Sequence, residues 1–243
     1  MNVGYQKPTV FVRVRDKLLK FSLFSFAYRL LTPNVNFPIH FIVGHYSSGT
    51  TILDRLISMH PNCARLHTEG VQLAYLLDRP EDFGSRRNWI RVAEKLKRSL
   101  TEEEARVCAS LWNKLSNYND QTICMVEKSI VNIIRIESFC RFLPSSKVIH
   151  IFRDTNRIKS SYERRGLLKT KDDLRHLLKQ IETTQKYAYS LEADRVLHVS
   201  YEALTINPVH ELSRIYSFVG LYIPEIKFDG KTLTVIDERQ VLE

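Results

Sequence analysis

Apolar residues in this chain fall into short unbroken runs, separated by stretches where they recur every three or four positions. Residues 39–43, 123–126, 148–152 and 196–199 are short, mostly apolar and rich in β-branched side chains. Such runs predict strands buried on both faces. The first run is followed by Ile52, Leu53, Leu56, Ile57 and Met59 on one stripe, with Asp54 and Arg55 off it. That is the period of a helix packed by one face. Residues 131–143 and 172–192 read as further helices. Thr101-Glu102-Glu103-Glu104 reads as a capping box opening a helix to about Leu115. Alternating strands and helices predict an α/β three-layer sandwich with a central parallel sheet. Ligands of such sheets lie beyond the carboxyl ends of the strands.

The ends of the chain break this pattern. Residues 1–37 combine Leu18, Leu19, Phe21, Leu23, Phe24, Phe26, Leu30 and Leu31 with Lys7, Arg13, Arg15, Lys17, Lys20 and Arg29, against Asp16 alone. We expect a basic amphipathic helix that packs on the domain or on a second subunit, making a homodimer. Peripheral contact with a membrane is the competing reading. The apolar run at 21–27 is too short to span a bilayer and lacks a cleavage site, so a cytoplasmic location is expected. Thr32-Pro33-Asn34 marks a break. Residues 38–243 then form the α/β domain, with a charged helical insertion at about 78–122.

Bulk properties narrow the field modestly. A length of 243 residues, 44% hydrophobic, suits one sizeable core. A net charge of +9 suits an anionic ligand, although a solvated basic surface explains charge alone equally well. Cys63, Cys108, Cys124 and Cys140 form no C-x-x-C pair and lack metal-ligand histidine spacing, so reduced, buried thiols are expected and no metal site.

The candidate chemistry begins where the first strand ends. Gly44-His45-Tyr46-Ser47-Ser48-Gly49-Thr50-Thr51 links a strand to a helix. Glycines at 44 and 49 permit a tight turn around a phosphate, and a helix N-terminus offers amides and partial positive charge. The spacing is that of a nucleoside triphosphate hydrolase-like P-loop, but Thr50 stands where the loop's lysine belongs.

The loop resembles the 5′-phosphosulfate loop of sulfotransferases that use 3′-phosphoadenosine 5′-phosphosulfate (PAPS). Lys147-Val148-Ile149-His150-Ile151-Phe152-Arg153-Asp154, followed by Ser161, resembles the family's 3′-phosphate segment. Val199-Ser200-Tyr201-Glu202-Ala203-Leu204, with Asn207-Pro208 and Phe218-Val219-Gly220-Leu221, resembles a third segment. Val126-Glu127-Lys128-Ser129 resembles a fourth, found in the Golgi-type and bacterial branches. The family's C-terminal Arg-Lys-Gly is absent; Phe228-Asp229-Gly230-Lys231 is no match.

The resemblance implies a cofactor set of Gly44, His45, Ser47, Ser48, Gly49, Thr50, Thr51, Arg153, Ser161 and Tyr201, with PAPS as donor, 3′-phosphoadenosine 5′-phosphate (PAP) as product and no metal. The family's usual lysine or arginine before Ser-Gly-Thr-Thr is here Ser47, and Lys128 is the candidate replacement. Glu69 is the first candidate for the general base and His67 the second. The acceptor is a carbohydrate, lipid, small molecule or peptide tyrosine, and no nucleic acid partner is expected. Two other functions compete: a P-loop kinase acting on a small molecule, and a catalytically silent nucleotide-binding protein of the same fold.

Overall fold

The computed structural model describes residues 10–19, 21–32, 36–85, 87–96 and 99–236. In chain order, helices α1 (Val10–Leu18) and α2 (Ser22–Leu31) precede strand β1 (Ile39–Gly44) and helix α3 (Thr50–Ile57). Strand β2 (Cys63–Arg65) leads into a region of short turns, with α4 (Ala93–Leu96) and α5 (Glu102–Leu115). Then come β3 (Cys124–Glu127), α6 (Ile136–Phe142), β4 (Val148–Phe152), α7 (Thr155–Arg164) and α8 (Lys171–Tyr189). The chain continues through β5 (Val196–Ser200), α9 (Tyr201–Ile206), α10 (Pro208–Phe218), β6 (Glu225–Phe228) and β7 (Leu233–Ile236).

Five strands form one sheet in the order β2-β3-β1-β4-β5, and every pairing is parallel. Central β1 is buried at all six positions, which accounts for its unbroken apolar run. On one face Phe41 stacks on Phe139 and meets Trp112 edge to face. On the other, Ile42, Leu53, Leu56 and Ile57 pack with Leu212 and Ile215. Helices thus cover both faces, as the alternation predicts. The Thr101 capping box also forms: its hydroxyl accepts from the Glu104 amide while Glu104 accepts from the Thr101 amide.

Three details differ from the sequence reading. The N-terminal segment is two helices rather than one, meeting where Leu19 is fully buried in the core. Residues 131–143 are not one helix: a 3-10 turn, Ile130–Arg135, precedes α6. Side chains draw this turn inward. Asn132 donates to the Glu127 carboxylate (3.0 Å), and buried Arg135 donates to the Asp78 carbonyl (2.8 Å). The antiparallel hairpin β6–β7 and the three-residue β2 carry too few apolar residues to announce themselves.

Candidate active site

The turn from β1 to α3 is shaped by steric necessity. A Cβ on Gly44 would lie 2.5 Å from the Ile151 carbonyl oxygen, so only glycine lets β1 end against β4. Ser47 (φ 69°) and Gly49 (φ 107°) both adopt left-handed backbone, an arrangement that forms concave amide nests for anions. For Ser47 this costs on the order of 1–3 kcal/mol, strain that accumulates at functional loops. The Ser48 hydroxyl donates to the His45 carbonyl (2.7 Å) and pins the turn. Gly49 caps α3 without a side-chain hydrogen bond, and its Cβ would collide with the Tyr201 ring at 2.4 Å.

A cavity of about 460 Å³ lies beside this turn at the carboxyl edge of the sheet, and Ser47, Gly49, Thr50 and Thr51 form one wall. Lys128 enters from the end of β3, Arg153 from β4, Ser161 from α7 and Tyr201 from β5. The Arg153 guanidinium lies 4.2 Å from the Tyr201 ring centre and donates to the Ser47 carbonyl (3.0 Å). Asp154 does not pair with Arg153; its carboxylate caps α7 by accepting from the Arg157 amide (2.9 Å). The Lys128 ammonium donates to Glu69 Oε1 at 2.9 Å.

Glu127, fully buried, braces this pair from behind. Its Oε1 accepts from the Gly70 amide (2.9 Å) and from the Ser129 hydroxyl. Burial pushes its carboxyl up to about 7, opposed by these hydrogen bonds and reinforced by the neighbouring Glu69 charge.

Of the expected residues, Ser47, Gly49, Thr50, Thr51, Glu69, Lys128, Arg153, Ser161 and Tyr201 share the cavity wall. Gly44 and Ser48 shape the loop from behind it. His45 departs from the expectation of cofactor contact. Its ring is buried, with Nδ1 donating to the Tyr46 carbonyl (2.7 Å) and Nε2 accepting from the Gln180 amide (2.9 Å). Burial drives its pKa down to about 4, so the ring is a neutral tie between the loop and α8. His67 lies off this cavity. Its Nε2 meets Asp16 Oδ2 at 2.5 Å, and it lines an adjoining 250 Å³ cavity that shares Thr51, Glu69, Gln72 and Lys128 with the first.

Two further cations line the main cavity: Arg87 and Arg165. Arg165 directs Nη1 at the Ser47 hydroxyl, 3.4 Å away. The sequence offers no signal for either, since both sit in charged stretches that read as solvated surface. Among the described residues that line it, four cations (Arg87, Lys128, Arg153 and Arg165) outnumber two acids (Glu69 and Glu81), so the cavity carries an excess of positive charge. Among the described residues no cluster of three or more His, Cys, Asp or Glu side chains is arranged to hold a metal ion.

No curated protein sequence matches significantly. Similar solved structures are sulfotransferase STF1 from Mycobacterium tuberculosis H37Rv (TM-score 0.59, 18% identity, 90% of this chain and 76% of that one) and a sulfotransferase from Alicyclobacillus acidocaldarius (0.54, 18%, 86% and 90%). A sulfotransferase domain of the Synechococcus PCC 7002 olefin synthase is a third (0.52, 21%, 87% and 86%). At these identities the likeness establishes the fold. The sequence profile described as "Sulfotransferase family" matches residues 38–225, which takes in every cavity residue named above. The chain therefore belongs to the sulfotransferase family, transferases that move sulfuryl groups.

Proposed function

We propose that the protein transfers the sulfuryl group of PAPS to an acceptor hydroxyl or amine by in-line displacement. One observation carries the reading: residues from the ends of β1, β3, β4 and β5 converge on a single cation-rich cavity beside the N-terminus of α3, whose Gly49 cap supplies no side-chain hydrogen bond. Bound PAPS supplies an activated sulfur–oxygen bond whose cleavage leaves a phosphate. Thr50, Thr51 and the first amides of α3 hold the 5′-phosphate. Arg153 and Ser161 hold the 3′-phosphate, for which a forked, permanently charged guanidinium is suited. Tyr201 supports the adenine side.

Glu69 removes the acceptor proton as the new oxygen–sulfur bond forms and the old one breaks. Lys128 and Arg165 oppose the charge growing on the leaving phosphate, and Arg165 provides the cation that Ser47 cannot. Glu69 and Lys128 line both cavities, so the acceptor is assigned to the 250 Å³ cavity and the donor to the larger one. A carbohydrate, lipid, small-molecule or tyrosine hydroxyl all meet this chemical requirement.

A cytoplasmic setting belongs to the same reading and is supported by four cysteines that form no disulfide. Membrane contact and homodimerisation through the N-terminal segment are its two assembly alternatives. The test is turnover with labelled PAPS across acceptor classes, alongside titration with PAP and with magnesium–ATP. Binding of magnesium–ATP in preference to PAP would replace this reading by the kinase. Tight PAP binding without turnover of any acceptor would replace it by the silent protein.

A further inference from the structure

Helices α1 and α2 turn one face to the domain and leave another uncovered. The inner face is made by Leu19, just past α1, and by Phe24 and Tyr28 of α2, which pack against the core, with Ser25 fully buried beside them; α1 itself is tied to the domain by the contact of Asp16 with His67. Lys114 on α5 fixes the segment by donating to the carbonyls of Arg29 and Thr32, the latter at 3.1 Å. The outer face repeats one pattern in both helices. Phe11, Val14 and Leu18 recur at i, i+3 and i+7, and so do Leu23, Phe26 and Leu30. Their exposures are 78%, 51% and 38% in α1, and 81%, 57% and 69% in α2. Half of the large apolar side chains exposed among the described residues lie in this one segment. Scattered exposed leucines need no explanation, but two such stripes on consecutive helices do.

Charge identifies the occupant. In each helix a base stands one residue before the last stripe position, Lys17 before Leu18 and Arg29 before Leu30, which places it on the stripe's flank. The segment's one acid, Asp16, is engaged by Arg15 (3.0 Å) and by His67 of the domain (2.5 Å). The exposed Lys17 therefore borders the α1 stripe, and the half-buried Arg29 lies beside the α2 stripe. Two copies of this face brought together would oppose like charges. An anionic bilayer surface satisfies both components, receiving the apolar stripes at its acyl boundary and the cations at its headgroups.

We propose that the outer face of α1 and α2 docks on an anionic lipid bilayer, lying in its plane. Among the described residues no helix is long and apolar enough to cross one. This proposal is independent of which acceptor the active site takes.

The test is flotation of the whole protein with vesicles of phosphatidylcholine alone and of phosphatidylcholine mixed with phosphatidylserine. The parent floats with the mixed vesicles and is released by salt. The combined substitution Leu23→Ser, Phe26→Ser and Leu30→Ser weakens that binding about tenfold or more, as does Lys17→Glu with Arg29→Glu. All five side chains lie outside the active site, and a matched thermal melt and unchanged PAP affinity show that each variant is folded. A parent that floats with neither vesicle overturns the proposal. So does binding indifferent to both variants. A dimer in the absence of vesicles, dissociated by the serine variant, would assign the face to a second copy instead.

Discussion

Nη1 of Arg165 lies 3.4 Å from the hydroxyl of Ser47, while Arg153 donates to the carbonyl of the same residue at 3.0 Å. The position where the sequence resemblance implies a cation thus has a neutral residue, met by one guanidinium at its carbonyl and by another at its hydroxyl. In the proposed function the missing charge is supplied through space from the end of α7. Arg165→Ala should lower kcat by about 10–10²-fold, less than a buried donor because the side chain is exposed. Adding Ser47→Lys to that variant should restore much of the loss. An Arg165→Ala enzyme with full turnover would remove Arg165 from the mechanism.

Lys128 and Glu69 form a contact pair at 2.9 Å, with side chains 15% and 23% exposed. A base and a charge stabiliser so close must act as a unit. Lys128→Ala should reduce kcat by roughly 10²–10³ with a smaller change in PAP affinity, and Glu69→Gln by about 10²–10⁴. The double variant should lose much less than the product of the two, as coupled residues do. Strict additivity in a double-mutant cycle would mean that the pair is structural.

Arg153 is stacked on Tyr201 and bound to the loop, so it is preorganised to read a phosphate. PAP should bind much more tightly than ADP. Arg153→Ala should erase most of that preference, at about 1.5–3 kcal/mol for a charge-assisted hydrogen bond. Arg153→Lys should recover only part, because an ammonium lacks the fork. Calorimetric titration with both nucleotides decides the matter. Equal affinities in the parent would reassign Arg153 to loop support.

The four cationic side chains that line the cavity among the described residues can do electrostatically what magnesium does for phosphoryl transfer. Turnover should therefore survive an excess of EDTA. Abolition by the chelator and restoration by magnesium would revive the kinase.

The sheet and its edge were legible because buried parallel strands have a plain signature, and a residue that follows one is placed by topology alone. That logic puts Lys128, Arg153 and Tyr201 at one edge of the sheet, where the cavity lies. It failed for side chains whose direction depends on packing. His45 sits within the phosphate-loop motif yet turns inward to Gln180, a partner 135 positions away. Arg87 and Arg165 face the cavity from stretches with no periodic pattern, so nothing local separates them from solvated arginines. The division of residues 130–142 into a 3-10 turn and a helix was hidden for a similar reason. It follows from the bond of Asn132 to Glu127, five residues back, and from that of Arg135 to the Asp78 carbonyl, 57 residues away.

Glu127 provides a test of the brace behind the active pair. Its carboxyl accepts from Gly70, Ser129 and Asn132, and burial holds its folded pKa near 7 against an ordinary value of 4.5. The folded state therefore binds the proton more tightly than the unfolded chain. The stability this confers is fully present below about pH 4.5 and is lost as pH rises through about 7. His45 and His150, both driven down to about 4 by burial, act in the opposite sense and add stability as pH rises from about 4 towards 6.5. The parent profile alone thus mixes the two signs, and the difference between parent and Glu127→Gln isolates the carboxyl. That variant mimics the protonated acid at every pH. Its unfolding free energy relative to the parent should climb between about pH 4.5 and 7, by on the order of 3 kcal/mol, and then level off. Urea melts across this range measure the difference directly. A difference that is constant with pH would show that Glu127 is already ionised in the folded protein, and that the Gly70 amide is held by a charged carboxylate throughout.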